Sequence, residues 1–178
     1  MRIIALQGNS KSGKSLTIKT VAALIMKDYN IQKAKNYNNG SYIDLKDLQY
    51  RIQYEYAQIQ NNVQKRIVKN IRIIIEIKGK TIGICSAGDT AHDLVLAMDA
   101  FCKNNCEIGI VAVHYHSFGA YEHESGPVYL EQIEKCCDKL NIDYVDKKLS
   151  NNPNNVGDVR KRNDKQAQEL LDKIKKSI

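Results

Sequence analysis

Two rhythms of apolar and polar residues alternate along this chain. Ile3-Ile4-Ala5-Leu6 is a short continuous apolar run inside Arg2–Leu6, and it stops short of Gly8. That pattern predicts a strand buried on both faces. From Gly13 the rhythm changes. Leu16, Ile18, Val21, Ala22, Leu24 and Ile25 recur at helical spacing and predict a helix to about Tyr29. The stretch from Asn30 to Ser41 turns polar, with Asn36, Asn38, Asn39 and Gly40, and reads as a loop. Ser41-x-x-Asp44 has the form of a capping box opening a long helix to about Lys69. That helix is rich in glutamine (Gln49, Gln53, Gln58, Gln60, Gln64) and tyrosine (Tyr42, Tyr50, Tyr54, Tyr56 in and beside it). It is either an exposed helix packed by its tyrosines or a face over a substrate pocket, which makes residues 30–70 a helical insertion.

Arg72–Lys78 and Lys80–Cys85 are two β-rich runs parted by Gly79, the pattern of a hairpin. Thr90-x-x-Asp93 is a second capping box, for a helix to about Cys102. Glu107–Val113 reads as a strand and His114–Gly126 as a loop. Pro127 suits the first turn of a helix to about Leu140. Asp143–Leu149 reads as the last strand and Ser150–Gly157 as an Asn-rich loop. Asp158 can cap a final helix with Ala167, Leu170, Leu171 and Ile174 on one face. The alternation predicts an α/β fold in three layers, with about five mostly parallel strands and one antiparallel hairpin. One domain spanning residues 1–178 is expected. Ligands of such sheets bind at the carboxyl ends of the strands. The loops that matter are then Gly8–Gly13, Ser86–Thr90, His114–Gly126 and Ser150–Gly157.

Composition narrows the partners. The chain has 178 residues, 43% apolar and 26% charged, which excludes a disordered chain. Its 27 Lys plus Arg against 20 Asp plus Glu leave a net charge of +7. A basic surface favours phosphates or nucleic acid over acidic partners. Nucleic acid is not the favoured partner, because the basic C-terminal helix carries no aromatic side chains for stacking on bases. No run approaches the roughly 18 apolar residues of a membrane helix. The N-terminus also lacks a leader's longer apolar region, so a cytoplasmic protein is expected. Cys85, Cys102, Cys106, Cys136 and Cys137 read as free thiols of a reducing compartment. Cys102 and Cys106 with His114 and His116 offer a metal reading, at a spacing that fits no familiar zinc pattern. His114, His116 and His123 also supply candidate donors to a phosphate or metal.

The strongest chemistry lies after the first strand. Gly8-Asn9-Ser10-Lys11-Ser12-Gly13-Lys14-Ser15 fits the pattern G-x-x-x-x-G-K-[ST] between an apolar strand and an apolar-periodic helix. Its glycines permit a tight backbone path, on which N–H groups converge on phosphate oxygens at a helix N-terminus. At these residues the chain resembles the P-loop NTPase superfamily; in size it is similar to that superfamily's small kinases, and its run Ile82–Asp89 resembles one in small bacterial P-loop ATP-binding proteins. The resemblance implies binding of a nucleoside triphosphate with Mg²⁺ by Gly8, Ser10, Lys11, Ser12, Gly13, Lys14, Ser15 and Leu16. Lys14 would reach the β- and γ-phosphates, and Ser15 would ligate the metal.

The superfamily also implies an acid at the end of a nearby strand. Asp89, after Thr81–Gly88, is the candidate metal and catalytic residue, holding Mg²⁺ through water or acting on an attacking hydroxyl; the other reading is that it only helps start the helix capped by Thr90. Glu76 is the runner-up, followed by Asp146 and Asp99. No Asn-Lys-x-Asp signature is present, so ATP is expected rather than GTP. The adenine would lie against Ser150–Gly157. The expected activity is a Mg²⁺-dependent phosphotransferase acting on a small molecule or nucleotide. The segment His114–Glu124 holds no Arg or Lys to close over the phosphates, which leaves Arg160 and Arg162 as candidates. The alternative is a slow ATPase that gates a protein or nucleic-acid partner, which would supply the arginine.

Overall fold

The computed structural model describes residues 1–9, 12–36, 41–50, 52, 70–87, 91–114, 141–147 and 156–178. Among them are six strands: β1 (Arg2–Gly8), β2 (Lys33–Asn36), β3 (Arg72–Ile77), β4 (Lys80–Cys85), β5 (Ile108–His114) and β6 (Asn141–Asp146). Four helical segments accompany them: α1 (Lys14–Asp28), α2 (45–50 with 52), α3 (Ala91–Lys103) and α4 (Val156–Lys175). The strands form one mixed sheet in the order β2-β3-β4-β5-β1-β6. β4, β5, β1 and β6 are parallel neighbours, while β3 is antiparallel to both β2 and β4. β3 is thus the one reversed strand among those described, and the α/β class expected from the pattern is observed.

β1 lies between β5 and β6, so its apolar run has no free edge. Its side chains divide by the period-2 rule. Ile4 and Leu6 join the core under α1, α2 and α4, with Ile18, Val21, Ile25, Leu170 and Leu171. Ile3 and Ala5 join the core under α3, with Leu94, Met98, Phe101 and Val111. Helices therefore cover both faces of the sheet. Within the α3 layer, Gly83 and Gly109 are register partners on β4 and β5. Both make room for one ring: a Cβ on Gly83 would lie 2.2 Å from Phe101, and one on Gly109 2.8 Å from it. Their missing side chains let α3 approach β4 and β5 closely.

Several expectations are corrected. Lys33–Asn36, read as loop, is the edge strand β2. It carries two lysines and no apolar alternation, so only its pairing to β3 makes it a strand. It also ties the start of the 30–70 segment into the main sheet. The cap of α2 is Asp44, not Ser41: one Asp44 carboxylate oxygen accepts from the N–H groups of Lys46 (2.8 Å) and Asp47 (3.1 Å). The last strand is Asn141–Asp146, and α4 starts two residues before Asp158. β5 runs through His114, one residue further than expected. The hairpin is as expected, turned by Lys78 (φ 50°) and Gly79 (φ 75°) in the left-handed region of a primed turn. The helix expected from Pro127 and most of the Gln/Tyr helix lie outside the described residues.

Candidate functional site

The carboxyl ends of β1, β4, β5 and β6 share one edge of the sheet, and Gly8 stands at its centre. In the register Gly8 is opposite His114, at the end of β5. His114 is 5% exposed, so it is a buried strand residue rather than part of a polar loop. Beyond β5 lies Ser86, directly after β4 and fully buried. Ser86 is fixed from two sides. Its N–H donates to the Ile71 carbonyl (2.9 Å), and its hydroxyl accepts from the Ile71 N–H (2.8 Å).

β1 ends at Gly8 and α1 begins at Lys14, and of the residues between them Asn9, Ser12 and Gly13 are described. Gly13 is the residue preceding the helix, at φ 91° and ψ 14°, a conformation costly for any residue with a Cβ. Among the described residues no side chain caps α1 there, and its first turn holds no acid. The first N–H groups of the helix therefore keep their partial positive charge unscreened. Lys14, 4% exposed, folds back over the turn. Its ammonium donates to the carbonyls of Gly8 (2.9 Å) and Asn9 (2.8 Å). The Ser15 hydroxyl donates to the Ser86 carbonyl (2.7 Å) and so joins α1 to the end of β4. Among the described residues, the enclosed Ser12 Oγ has no hydrogen-bond partner. Leu16 is half-buried, and its carbonyl accepts from the Thr20 hydroxyl (3.1 Å).

Gly8, Ser12, Gly13, Lys14, Ser15 and Leu16 are thus gathered at one edge. Ser10, Lys11 and Asp89 lie outside the described residues, as do His116 and His123. Glu76 does not reach this edge. β3 runs backwards, so Glu76 lies towards the opposite edge, opposite Thr81 and 3.4 Å from Lys33. Asp99 pairs with Lys103 on the exposed face of α3 (2.6 Å). Asp146 does end a strand at the site edge, where its carboxylate accepts from the Gln7 amide (2.8 Å). The thiol–histidine metal reading is divided by the fold. Cys106 precedes β5 and His114 ends it, which sets them roughly 20 Å apart along the strand. Burial, and then the neighbouring Cys102, push the Cys106 thiol up to about 12, so it stays protonated. Among the described residues no three His, Cys, Asp or Glu side chains are grouped to hold a metal ion.

One group at the site was missed from sequence: Lys147, at the end of β6, with Asn163 and Gln166 on α4. Lys147 is 7% exposed, and its ammonium donates to Asn163 Oδ1 (2.6 Å) and Gln166 Oε1 (3.0 Å). Burial, and then nearby Arg162, lower its pKa to about 8. A signal was present. Asn163 and Gln166 interrupt the same helical stripe as Ala167 and Leu170, so they are polar side chains on a face that must be buried.

The donors at the turn fit a phosphate chain: an uncapped helix N-terminus, a buried ammonium and an enclosed hydroxyl without an acceptor. The Ser15 hydroxyl fits a divalent cation, because donating its hydrogen to Ser86 leaves oxygen lone pairs for a metal. Comparison with family models, with curated proteins and with solved structures finds no match to this chain.

Proposed function

We propose that this chain is a protein of the P-loop NTPase fold that binds ATP with Mg²⁺ and transfers a phosphoryl group to a small-molecule or nucleotide acceptor. The observation that supports this best is the turn from central strand β1 into α1, with left-handed Gly13, an uncapped helix N-terminus, and Lys14 and Ser15 side by side. The backbone N–H groups at the start of α1 would hold the phosphates. Lys14 would exchange the carbonyls of Gly8 and Asn9 for phosphate oxygens and neutralise charge there. Ser15 would supply one oxygen to Mg²⁺, which when bound screens charge between the phosphates. Asp89, three residues along the chain from Ser86, is the proposed acid of this site. His114 stands between the turn and Ser86 as a further polar group.

A second reading is a slow ATPase that gates a macromolecular partner. It is favoured by residues 114–124, which contain no Arg or Lys to complete a phosphotransfer site. A partner would then supply the missing cation. γ-Labelled ATP with Mg²⁺ and a pooled small-metabolite extract separates the two. Label in a new organic compound supports the phosphotransferase. Label only in inorganic phosphate, accelerated by a macromolecular fraction, supports the gated ATPase. Lys14→Ala, matched to wild type in unfolding midpoint, should abolish either signal. Undiminished turnover in that variant overturns the site.

A further inference from the structure

Lys147 lies behind the turn and belongs to no part of the glycine motif. Its N–H donates to the Gln7 carbonyl (2.7 Å), which continues the β1–β6 pairing past the end of β6. Its side chain then runs beneath the turn. A Cβ placed on Gly8 would be 2.9 Å from Lys147 Cβ, and one on Gly13 would be 3.5 Å from Lys147 Cε. The stem therefore packs against both glycines of the motif. The ammonium ends between the amide oxygens of Asn163 and Gln166, which are 3% and 1% exposed.

Both amides are themselves fixed. Gln166 donates to the Asp146 carbonyl (2.6 Å), and Asn163 Oδ1 also accepts from the Thr17 hydroxyl of α1 (3.4 Å). Asn163 Nδ2 is buried near Gly13 and has no hydrogen-bond partner among the described residues. Among the described residues, three elements bring charged groups near the ammonium. Arg162 of α4 repels it, Lys14 lies across Gly8, and the Asp146 carboxylate of β6 is engaged by Gln7. A methionine would fill the same space without desolvating a charge, so an ammonium here calls for a use. An anion bound at the turn would favour the charged form of an ammonium close behind it.

Resting on the nucleotide reading above, we propose that Lys147 is a positioning residue for the bound phosphates: its buried ammonium charges the turn from β6 and takes up a proton from solvent when the phosphates bind. With a free pKa near 8, about half of the molecules hold this proton at pH 8. Binding should draw the remainder from solvent.

The test is calorimetric titration of the full chain with inorganic tripolyphosphate and with Mg²⁺-ATP at pH 8, in buffers of different ionisation enthalpy. Wild type should take up a fraction of a proton approaching one half. Lys147→Met keeps the stem under Gly8 and Gly13; it should show no such uptake and bind about tenfold more weakly at pH 7, the linkage of one pKa unit. That gap should narrow as pH rises past 9. Lys147→Arg, charged throughout, should restore affinity without the uptake. If Lys147→Met loses its fold, the wild-type proton count and the arginine variant still decide the matter. Tight wild-type binding with no uptake at pH 8, or a folded methionine variant with unchanged affinity, overturns the proposal: Lys147 then only joins β6 to α4. If wild type binds neither probe, the nucleotide reading falls as well.

Discussion

Gly13→Ala, set against Gly79→Ala, tests whether the turn into α1 is held in a conformation that only glycine adopts cheaply. Both residues have left-handed backbones, at φ 91° and φ 75°. Their surroundings differ. Gly79 is in the exposed hairpin turn at the edge of the sheet away from Gly8, and a Cβ there meets nothing within 4 Å. A Cβ on Gly13 meets Asn163 at 3.4 Å and Lys147 at 3.5 Å, which are side-chain contacts rather than clashes. Neither substitution therefore overpacks the protein, and the cost is conformational. A left-handed alanine costs about 1–2 kcal/mol. The stiffer unfolded chain returns about 0.4–1 kcal/mol. The net loss is about 1 kcal/mol at each site, or roughly 2–4 °C in Tm for a domain of this size. Thermal and denaturant unfolding read the loss directly. Nucleotide binding then separates the two variants: Gly79→Ala should bind as wild type does, and Gly13→Ala should bind more weakly, because Gly13 aims the first N–H groups of α1. A neutral Gly13→Ala, or one that costs more than about 3 kcal/mol, would refute this account of the turn. Equal affinity in the two variants would separate the turn's shape from its proposed use.

Two further outcomes follow from packing and charge. Gly83→Ala should destabilise by roughly 1–3 kcal/mol or more, since its Cβ would stand 2.2 Å from the Phe101 ring; adding Phe101→Leu should recover part of that loss, and strictly additive unfolding energies would contradict the contact. Burial alone would raise the Asp143 carboxyl, but hydrogen bonds from Arg2 (3.0 Å) and Lys173 (3.3 Å) outweigh it and hold the pKa below its ordinary value of 3.8. A depressed carboxylate stabilises the fold above its unfolded pKa, and that contribution is lost as pH falls through the folded pKa. Asp143→Asn should thus be less stable than wild type at pH 7, with the gap closing below about pH 4 in unfolding curves; a gap independent of pH would mean the pair adds nothing beyond shape.

What the sequence disclosed, and what it did not, follows from the range of the interactions involved. β1, α1, the β3–β4 hairpin and the apolar face of α4 are written in local periodicity, and each was legible. β2 was not, because Lys33–Asn36 has no strand pattern of its own and becomes a strand only beside β3, across more than thirty residues. The cap of α2 was ambiguous for a different reason. Ser41 and Asp44 are both good cap residues three apart, and only the N–H groups of Lys46 and Asp47 decide between them. The motif on residues 8–15 records the shape of a turn and two side chains, Lys14 and Ser15. It carries no information about what the sheet order sets beside that turn. β5 on one side of β1 brings His114, and β6 on the other brings Lys147. Those neighbours differ in kind from the motif: a buried imidazole in line with Gly8, and an ammonium held by two amides from α4. The turn argues for phosphate. If the proposed phosphate ligand is bound there, these flanking strands would set which compound and which pH suit it, so the variants most informative about chemistry lie outside the motif itself.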